Sequence, residues 1–351
     1  MPAAVFVVPG SINTRTGGSI YDRKMADGLR RRGWDIAVVE LETSFPQPTA
    51  AAVSGAAEAL AAMAAGTLVI IDGLALSALP DLIEYENARL RIVALVHLPL
   101  AADPGFDGDT RARMAAAEQR ALAASALVVV TGSTTVGLLE QYALPNDRVV
   151  VVEPGTDLAP LARGSGGPEV HLLCVATINP VKGHDMLLSA LAAVPNRDWR
   201  LTCAGSLTRD GAATARLRLL AHQLAIEEHV TFTGELDTEA LAACYDAADV
   251  FVLATRRETY GMAVAEALAH GLPVVSTTTG AIPDLVGHDA GVLAPPGDVA
   301  ALAEALARVI GDAELRARLA AGARHARGLL PDWEHAAARM DAALQCLSAH
   351  D

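Results

Sequence analysis

Two glutamates separated by seven residues, Glu258 and Glu266, bracket the segment best able to do chemistry. Thr259-Tyr-Gly261 reads as a loop that turns into a helix, so free backbone N–H groups near Gly261 and Met262 can bind a diphosphate or a sugar hydroxyl. Glu258, just before them, can accept hydrogen bonds from hydroxyl groups. Glu266, about one and a half turns into the helix, reaches a diol farther along the same ligand, such as a ribose, through charge-assisted bonds. An isolated pair of glutamates is more often capping and surface charge, so the neighbouring residues decide.

Other residues sit where strands give way to helices. Ala176-Thr-Ile-Asn-Pro-Val-Lys-Gly-His184 follows a strand-like run and opens a helix, and Lys182 there can present an ammonium to phosphate at the helix's positive end. His97 ends the run 92–96, placing an imidazole at a strand terminus. Asp72, in Ile71-Asp-Gly73, ends another strand and either binds an acceptor or caps the next turn. Thr16-Gly17-Gly18-Ser19 lies between the first strand and a helix, where glycines permit close backbone approach; the absence of G-x-G-x-x-G weakens a dinucleotide-binding reading. Asp107-Gly-Asp109 has the form of an Asp-x-Asp metal motif. It follows Asp103-Pro-Gly105 in a loop and leads into a helical run over 110–124, so it reads as a helix cap. No His/Cys cluster points to zinc, and neither a metal nor a separate cofactor is expected.

Glu258-x-x-Gly261, followed by Glu-Ala-Leu-Ala-His-Gly-Leu-Pro-Val-Val over 266–275 and Gly-Ala-Ile-Pro-Asp-Leu-Val over 280–286, closely resembles the signature of glycosyltransferase family 4, whose members have the GT-B fold. The resemblance runs over nearly the whole chain. It implies an α/β fold of two doubly wound, Rossmann-like parallel-sheet domains facing across a cleft. It also implies retaining transfer of a hexosyl group from a nucleotide-diphosphate sugar held mainly by the C-terminal domain. Glu266 falls where the family holds the donor ribose, Glu258 where it holds the donor sugar, and Thr259, Tyr260, Gly261 and Met262 where backbone amides meet sugar and phosphate. Gly234-Glu235-Leu236 corresponds to a loop lying against the base, Gly17 and Gly18 to a loop over the diphosphate and beside the acceptor, and His97 to a contact with donor sugar or acceptor.

The family usually carries Arg and Lys five residues apart in the phosphate loop. Lys182 matches, but Thr177 stands where Arg is usual, which removes positive charge from a departing diphosphate. Arg209, Arg256 and Arg257 are the candidate replacements, with Arg209 favoured. Retention in the family needs no carboxylate nucleophile: the acceptor attacks from the face the leaving group departs, and a phosphate oxygen takes its proton. Lys182, Glu258 and His97 are then the catalytic candidates. The donor expected is a UDP-sugar ahead of GDP-mannose, and the acceptor a hydroxyl on a soluble small molecule. Two rivals are a sugar-nucleotide epimerase on the same fold, which needs no acceptor, and a sugar-binding protein that performs no chemistry.

The elements that must position these residues alternate in βαβ rhythm. Short β-branched runs occur at 5–8, 36–41, 68–71, 92–96, 127–130 and 149–152; after a Gly/Ser-rich stretch at 163–168 the rhythm restarts at 170–175, 200–203, 230–232, 250–253 and 273–276. This predicts an N-terminal acceptor-side domain over 1–162, a nucleotide-sugar-binding domain over 163–330, and a C-terminal helix over 331–351 packing back towards the first domain. A length of 351 residues and an apolar content of 52% with only 4% aromatics suit two α/β cores built from Ala, Val and Leu.

The formal charge of −14 excludes broad attraction to nucleic acid or anionic lipid. A basic cluster at Arg23, Lys24, Arg30, Arg31 and Arg32 reads as cations near a helix C-terminus; it leaves membrane-surface contact as a less favoured option. Four cysteines without C-x-x-C spacing fit a reducing, cytoplasmic location. No run approaches the ~18 apolar residues of a bilayer span, and nothing in the sequence sets an oligomeric state.

Overall fold

The computed structural model describes residues 1–102 and 107–348. The chain divides into two compact units, one formed by Met1–Gly155 together with the chain from Pro331 onward, the other by Thr156–Leu330.

The first unit is built on six parallel strands: β1 (Ala3–Pro9), β2 (Asp35–Leu41), β3 (Leu68–Asp72), β4 (Arg91–Val96), β5 (Leu127–Val130) and β6 (Val149–Val151), in the order β2-β1-β3-β4-β5-β6. Apolar runs such as Val69-Ile-Ile71 become central strands because helices cover both faces of a parallel sheet, and each of those three residues is buried. The order reverses between β1 and β3. Connections leave those strands on opposite faces, which opens a crevice at their C-terminal ends. Thr16, Gly17, Asp72 and His97 all lie at that edge.

The helix Trp333–Ser348 begins where Asp332 Oδ1 accepts from His335 N at 2.7 Å, and it packs on the helix Gly17–Arg31. Ala336, Ala337, Met340 and Leu344 are buried. Asp341 accepts from Trp34 Nε1 and from Arg32 Nε, both at 2.9 Å, while Arg32 Nη1 reaches Glu334 at 2.8 Å. Arg30 pairs with Asp27 at 2.9 Å. Part of the basic cluster therefore ties helices together.

The second unit has β7 (Val170–Val175), β8 (Trp199–Ala204), β9 (Val230–Gly234), β10 (Val250–Leu253), β11 (Val274–Thr277) and β12 (Gly291–Ala294), all parallel, in the order β12-β11-β10-β7-β8-β9. Here the reversal falls between β7 and β10. The sequence reading passes over β12, a four-residue, half-buried edge strand that opens on glycine. Cys174 and Cys203 face each other across β7 and β8 as buried free thiols. Residues 156–162, expected with the first domain, group instead with this unit. Ala162 N donates to His270 O at 2.9 Å, and Pro160 O lies 3.0 Å from His270 Nδ1. The Gly/Ser-rich stretch is likewise held: Arg163 pairs with Asp246, and Ser165 N donates to Asp249 Oδ1 at 3.0 Å.

Helix docking in the first unit depends on Gly28, where a Cβ would lie 2.5 Å from Ala337 Cβ. Alanine gains about 1 kcal/mol of helix propensity over glycine, but overpacking a filled interface costs about 1–3 kcal/mol. Gly28→Ala is expected to lower the calorimetric midpoint and Gly28→Leu to lower it further. Unchanged midpoints for both would refute the docking.

Candidate active site

Lys182 and Glu258 are 76 positions apart, and the strand-order reversal in the second unit brings them together. β7 runs into a short turn, Pro180–Lys182, whose entry Asn179 Oδ1 fixes by accepting from Lys182 N at 3.0 Å. Gly183 then adopts φ 64°, and a Cβ there would stand 2.0 Å from Ala254 O, so only glycine lets this loop rest on the end of β10. Arg256 N donates to Val181 O at 2.7 Å, and the Thr255 hydroxyl to the same carbonyl at 3.2 Å. Across this seam Lys182 Nζ lies 2.7 Å from Glu258 Oε2, with side chains 27% and 15% exposed. Half-burial weakens solvent screening, so the pair holds both groups in place.

Arg256, one of the three replacement cations, is committed elsewhere. Its guanidinium donates to Pro180 O at 2.7 Å and to Asp185 at 2.9 and 2.7 Å, and that hydrogen-bonded pairing holds the Asp185 carboxyl below its usual range. It braces the Lys182 loop. Arg209 is exposed in the loop after β8, just before Asp210, which caps the next helix by accepting from Ala213 N at 2.8 Å. Arg257 is half-buried, and its carbonyl accepts from the Thr255 hydroxyl at 2.8 Å. Thr177 lies half-buried just beyond β7.

The helix Met262–Ala269 starts at Gly261, whose φ of 100° lets the chain turn from loop to helix without strain. The loop before it is pinned: Thr279 Oγ1 accepts from Glu258 N at 3.3 Å, and Thr259 O accepts from Ala281 N at 3.0 Å. The Tyr260 ring packs in a small apolar cluster with Ala265 and Ala281, so this residue offers a ligand its backbone and not its ring face. Glu266 Oε2 accepts from Tyr245 OH at 3.0 Å, and the Tyr245 ring stacks on His270 with centroids 4.5 Å apart. Burial, then the Glu266 charge, push the Tyr245 phenol well above its ordinary range, so it stays a donor to that carboxylate. Gly234 ends β9 and Glu235 and Leu236 follow it on the same sheet edge, with Gly234 O accepting from Gly205 N at 3.0 Å.

The first unit gathers a different set. His97, directly after β4, directs Nε2 to Asp22 Oδ1 at 2.9 Å and lies 3.5 Å from Asp72 Oδ2. Asp22 comes from the helix Gly17–Arg31, which Tyr21 anchors by donating to Val152 O at 2.8 Å. Asp72 also caps the turn after β3, accepting from Leu74 N at 2.7 Å. Gly18 leaves room for the imidazole, since a Cβ there would lie 3.2 Å from His97 Cδ2; Gly17 is exposed at the start of the helix. Burial and then the neighbouring Asp22 charge push the Asp72 carboxyl up to about 7. Burial disfavours a charged His97, but the two carboxylates outweigh it and raise its pKa. Behind this cluster, buried Glu118 accepts from Leu100 N at 3.0 Å, from Ser77 at 3.1 Å and from Tyr142 at 2.6 Å, fixing the segment that follows His97.

Asp22, Asp72 and His97 form a group with ligand-capable atoms within 4.8 Å of one another. The Asp22–His97 bond and the approach of Asp72 Oδ2 to His97 Nε2 at 3.5 Å account for that closeness, and we assign no metal there. Asp107 Oδ1 accepts from Thr110 N at 2.7 Å as the cap of the helix Gly108–Ala123, and that bond holds its carboxyl below the usual range. Asp103-Pro-Gly105 lies outside the described residues.

A family model described as "Glycosyl transferases group 1" matches residues 163–326. The D-inositol 3-phosphate glycosyltransferase of Xylanimonas cellulosilytica is 32% identical over 273 residues, covering 73% of this chain and 63% of that protein. Its counterpart from Jonesia denitrificans is 32% identical over 258 residues, covering 68% and 60%. The chain thus matches about three fifths of the length of these curated relatives. Sucrose-phosphate synthase from Thermosynechococcus elongatus superposes with a TM-score of 0.83 at 21% identity, covering 99% of this chain and 100% of that one. Anabaena HepE, in complex with UDP and glucose, gives 0.79 at 18%, covering 98% and 100%. Over residues 163–326 the chain is similar to the group 1 glycosyl transferases, and its two units share the GT-B fold of these solved structures. Among the described residues, no helix is long and apolar enough to cross a membrane. Sequence reasoning missed Asp22 and Tyr245, whose partners His97 and Glu266 it had singled out.

The buried triad sets a pH dependence. A carboxyl with a raised folded pKa stabilises the fold below its unfolded value, about 4, and loses that contribution as pH rises to about 7. His97, also raised, acts in the same direction. The thermal midpoint of the wild type is expected to fall more steeply between about pH 5 and pH 8 than that of Asp72→Asn. Parallel curves would refute the buried proton.

Proposed function

We propose that this glycosyltransferase moves a hexosyl group, with retention, from a nucleotide-diphosphate sugar to a hydroxyl of a soluble small molecule, in the reducing cytoplasm. A UDP-sugar is favoured over GDP-mannose. The observation that carries the reading is the Lys182–Glu258 pair at the strand-order reversal of the second sheet, beside the N-terminus of the helix Met262–Ala269. Such an edge is where doubly wound sheets bind nucleotides, and a helix start favours anionic oxygen.

In this reading Lys182 supports the departing diphosphate, and Glu258 holds it ready until sugar hydroxyls take over the carboxylate. Glu266, set by Tyr245, binds the ribose diol. Backbone groups of Thr259, Gly261 and Met262 meet sugar and phosphate, and the Gly234–Glu235–Leu236 loop lies against the base. Arg209 supplies the cation missing at Thr177; its exposure leaves it free of the pairing that occupies Arg256. Gly17, Gly18, His97 and Asp72 serve the diphosphate and acceptor side. The acceptor attacks on the face the leaving group departs, and a phosphate oxygen takes its proton, so positioning and electrostatics carry the rate. HepE, solved with UDP and glucose, supports a UDP-sugar at the level of fold. The relatives named for D-inositol 3-phosphate support a small polyhydroxyl acceptor.

Loss of the charge-assisted bonds in Glu266→Ala is expected to cost about 1.5–3 kcal/mol, roughly ten- to a hundredfold in donor affinity by calorimetry; normal donor binding would overturn the ribose assignment. Arg209→Ala is expected to weaken donor binding and slow turnover, and if both stay at wild-type values Arg209 leaves the site. A panel of UDP- and GDP-sugars, scored for release of free nucleotide, is expected to show turnover with UDP-sugars first. Conversion of the donor to an epimer without acceptor would refute transfer.

A further inference from the structure

The first unit contains a buried acid to which nothing so far gives a task. Asp22 is 2% exposed and sits early in the helix Gly17–Arg31. A carboxyl group leaves water at this depth only with partners; Asp22 has His97 Nε2 at 2.9 Å, with the Asp72 carboxyl within 4.8 Å. The His97 ring is hemmed on one side by Gly18, against Cδ2 and Nε2, and the Tyr21 ring stands edge-on to it with centroids 5.3 Å apart. Both carboxylates approach Nε2, which leaves Nδ1 as the nitrogen for anything that binds.

We propose that Asp22 is a positioning residue: it locks the His97 ring through Nε2 and keeps it an imidazolium, so that Nδ1–H is the donor offered to an oxygen of the bound substrate. The carboxylate below the ring fixes which nitrogen carries the permanent proton, the role an orienting acid plays for any histidine whose other nitrogen meets substrate. Asp72 takes up the remaining proton, so imidazolium, carboxylate and carboxylic acid sum to no net charge at this depth. The groups facing the ring are Asp22 and Tyr21 from the first helix and Asp72 from β3. That His97 meets substrate rests on the proposed transfer reading; that Asp22 sets its protonation does not.

The test uses the full chain with ring-15N histidine. In the wild type His97 is expected to hold its second proton to above neutral pH and, on losing it, to keep the proton on Nε2. In Asp22→Asn, of nearly equal shape, its midpoint is expected to fall by about one pH unit or more, since one unit equals a tenfold change in the balance of the two forms. An unmoved titration in Asp22→Asn, or an Nδ1–H tautomer in the wild type, overturns the proposal whether or not transfer is ever observed. With donor and acceptor supplied, Asp22→Asn is expected to lower kcat about tenfold or more while KM changes little, because the orientation of the imidazole is what is lost. Asp22→Glu is expected to restore part of both readouts. A shifted titration with unchanged kcat overturns the link to substrate. Asp22→Asn is to be compared with the wild type at matched thermal midpoints, and the partial recovery in Asp22→Glu separates loss of the lock from general weakening of the crevice.

Discussion

Everything the second unit can do follows from one constraint: in a parallel sheet every strand ends on the same edge, and where the strand order reverses two loops must diverge. Between β7 and β10 that divergence is closed again by a seam of backbone hydrogen bonds, by Gly183 resting on Ala254 O, and by the Lys182–Glu258 pair. A cation and an anion are thereby fixed, half-buried, at a place where helix N-termini already favour negative charge. Removing either partner would leave the other poorly solvated, so the pair is structural before any ligand arrives, and the proposed transfer gives it a second task once one does.

The first unit solves the same topological problem with the opposite chemistry. Its reversal, between β1 and β3, collects two acids and one imidazole instead of a lysine and helix dipoles. Burial and then the Asp22 charge push the Asp72 carboxyl up to about 7, and the neighbouring acids raise His97, which makes the cluster sensitive to pH near neutrality. Glu118, sunk beneath the segment after His97, repeats the pattern of a buried carboxylate spent on backbone and hydroxyl donors, and so fixes where β4 delivers its histidine.

How much of this could be read beforehand depended on distance along the chain. Glu258, the turn at Gly261 and Glu266 lie within one loop and one helix, so their relation was written locally. β5, β7 and β10 appear at their expected bounds because continuous apolar runs with β-branched residues have few other fates. Nothing local marks Asp22, which stands beside Arg23 and Lys24, because its partner His97 is 75 positions away. Tyr245 and Glu266, 21 apart, meet only through packing of separate elements. Arg256 stood with Arg209 and Arg257 as a candidate phosphate cation because its pairing with Asp185, across 71 positions, has no sequence trace. The domain boundary slipped for a related reason: the Gly/Ser-rich stretch resembles a linker, yet Asp246 and Asp249 hold it to the second sheet.

The central idea is that Glu258 lends Lys182 to the diphosphate and then takes the sugar. Titration calorimetry of Glu258→Gln with UDP and with UDP-glucose tests it directly. The expected result is UDP affinity equal to or above wild type, because the ammonium is released from its partner, together with loss of the extra affinity that the sugar gives. Parallel loss of both affinities would contradict it, and would make Glu258 a brace for the loop with no part in holding the sugar.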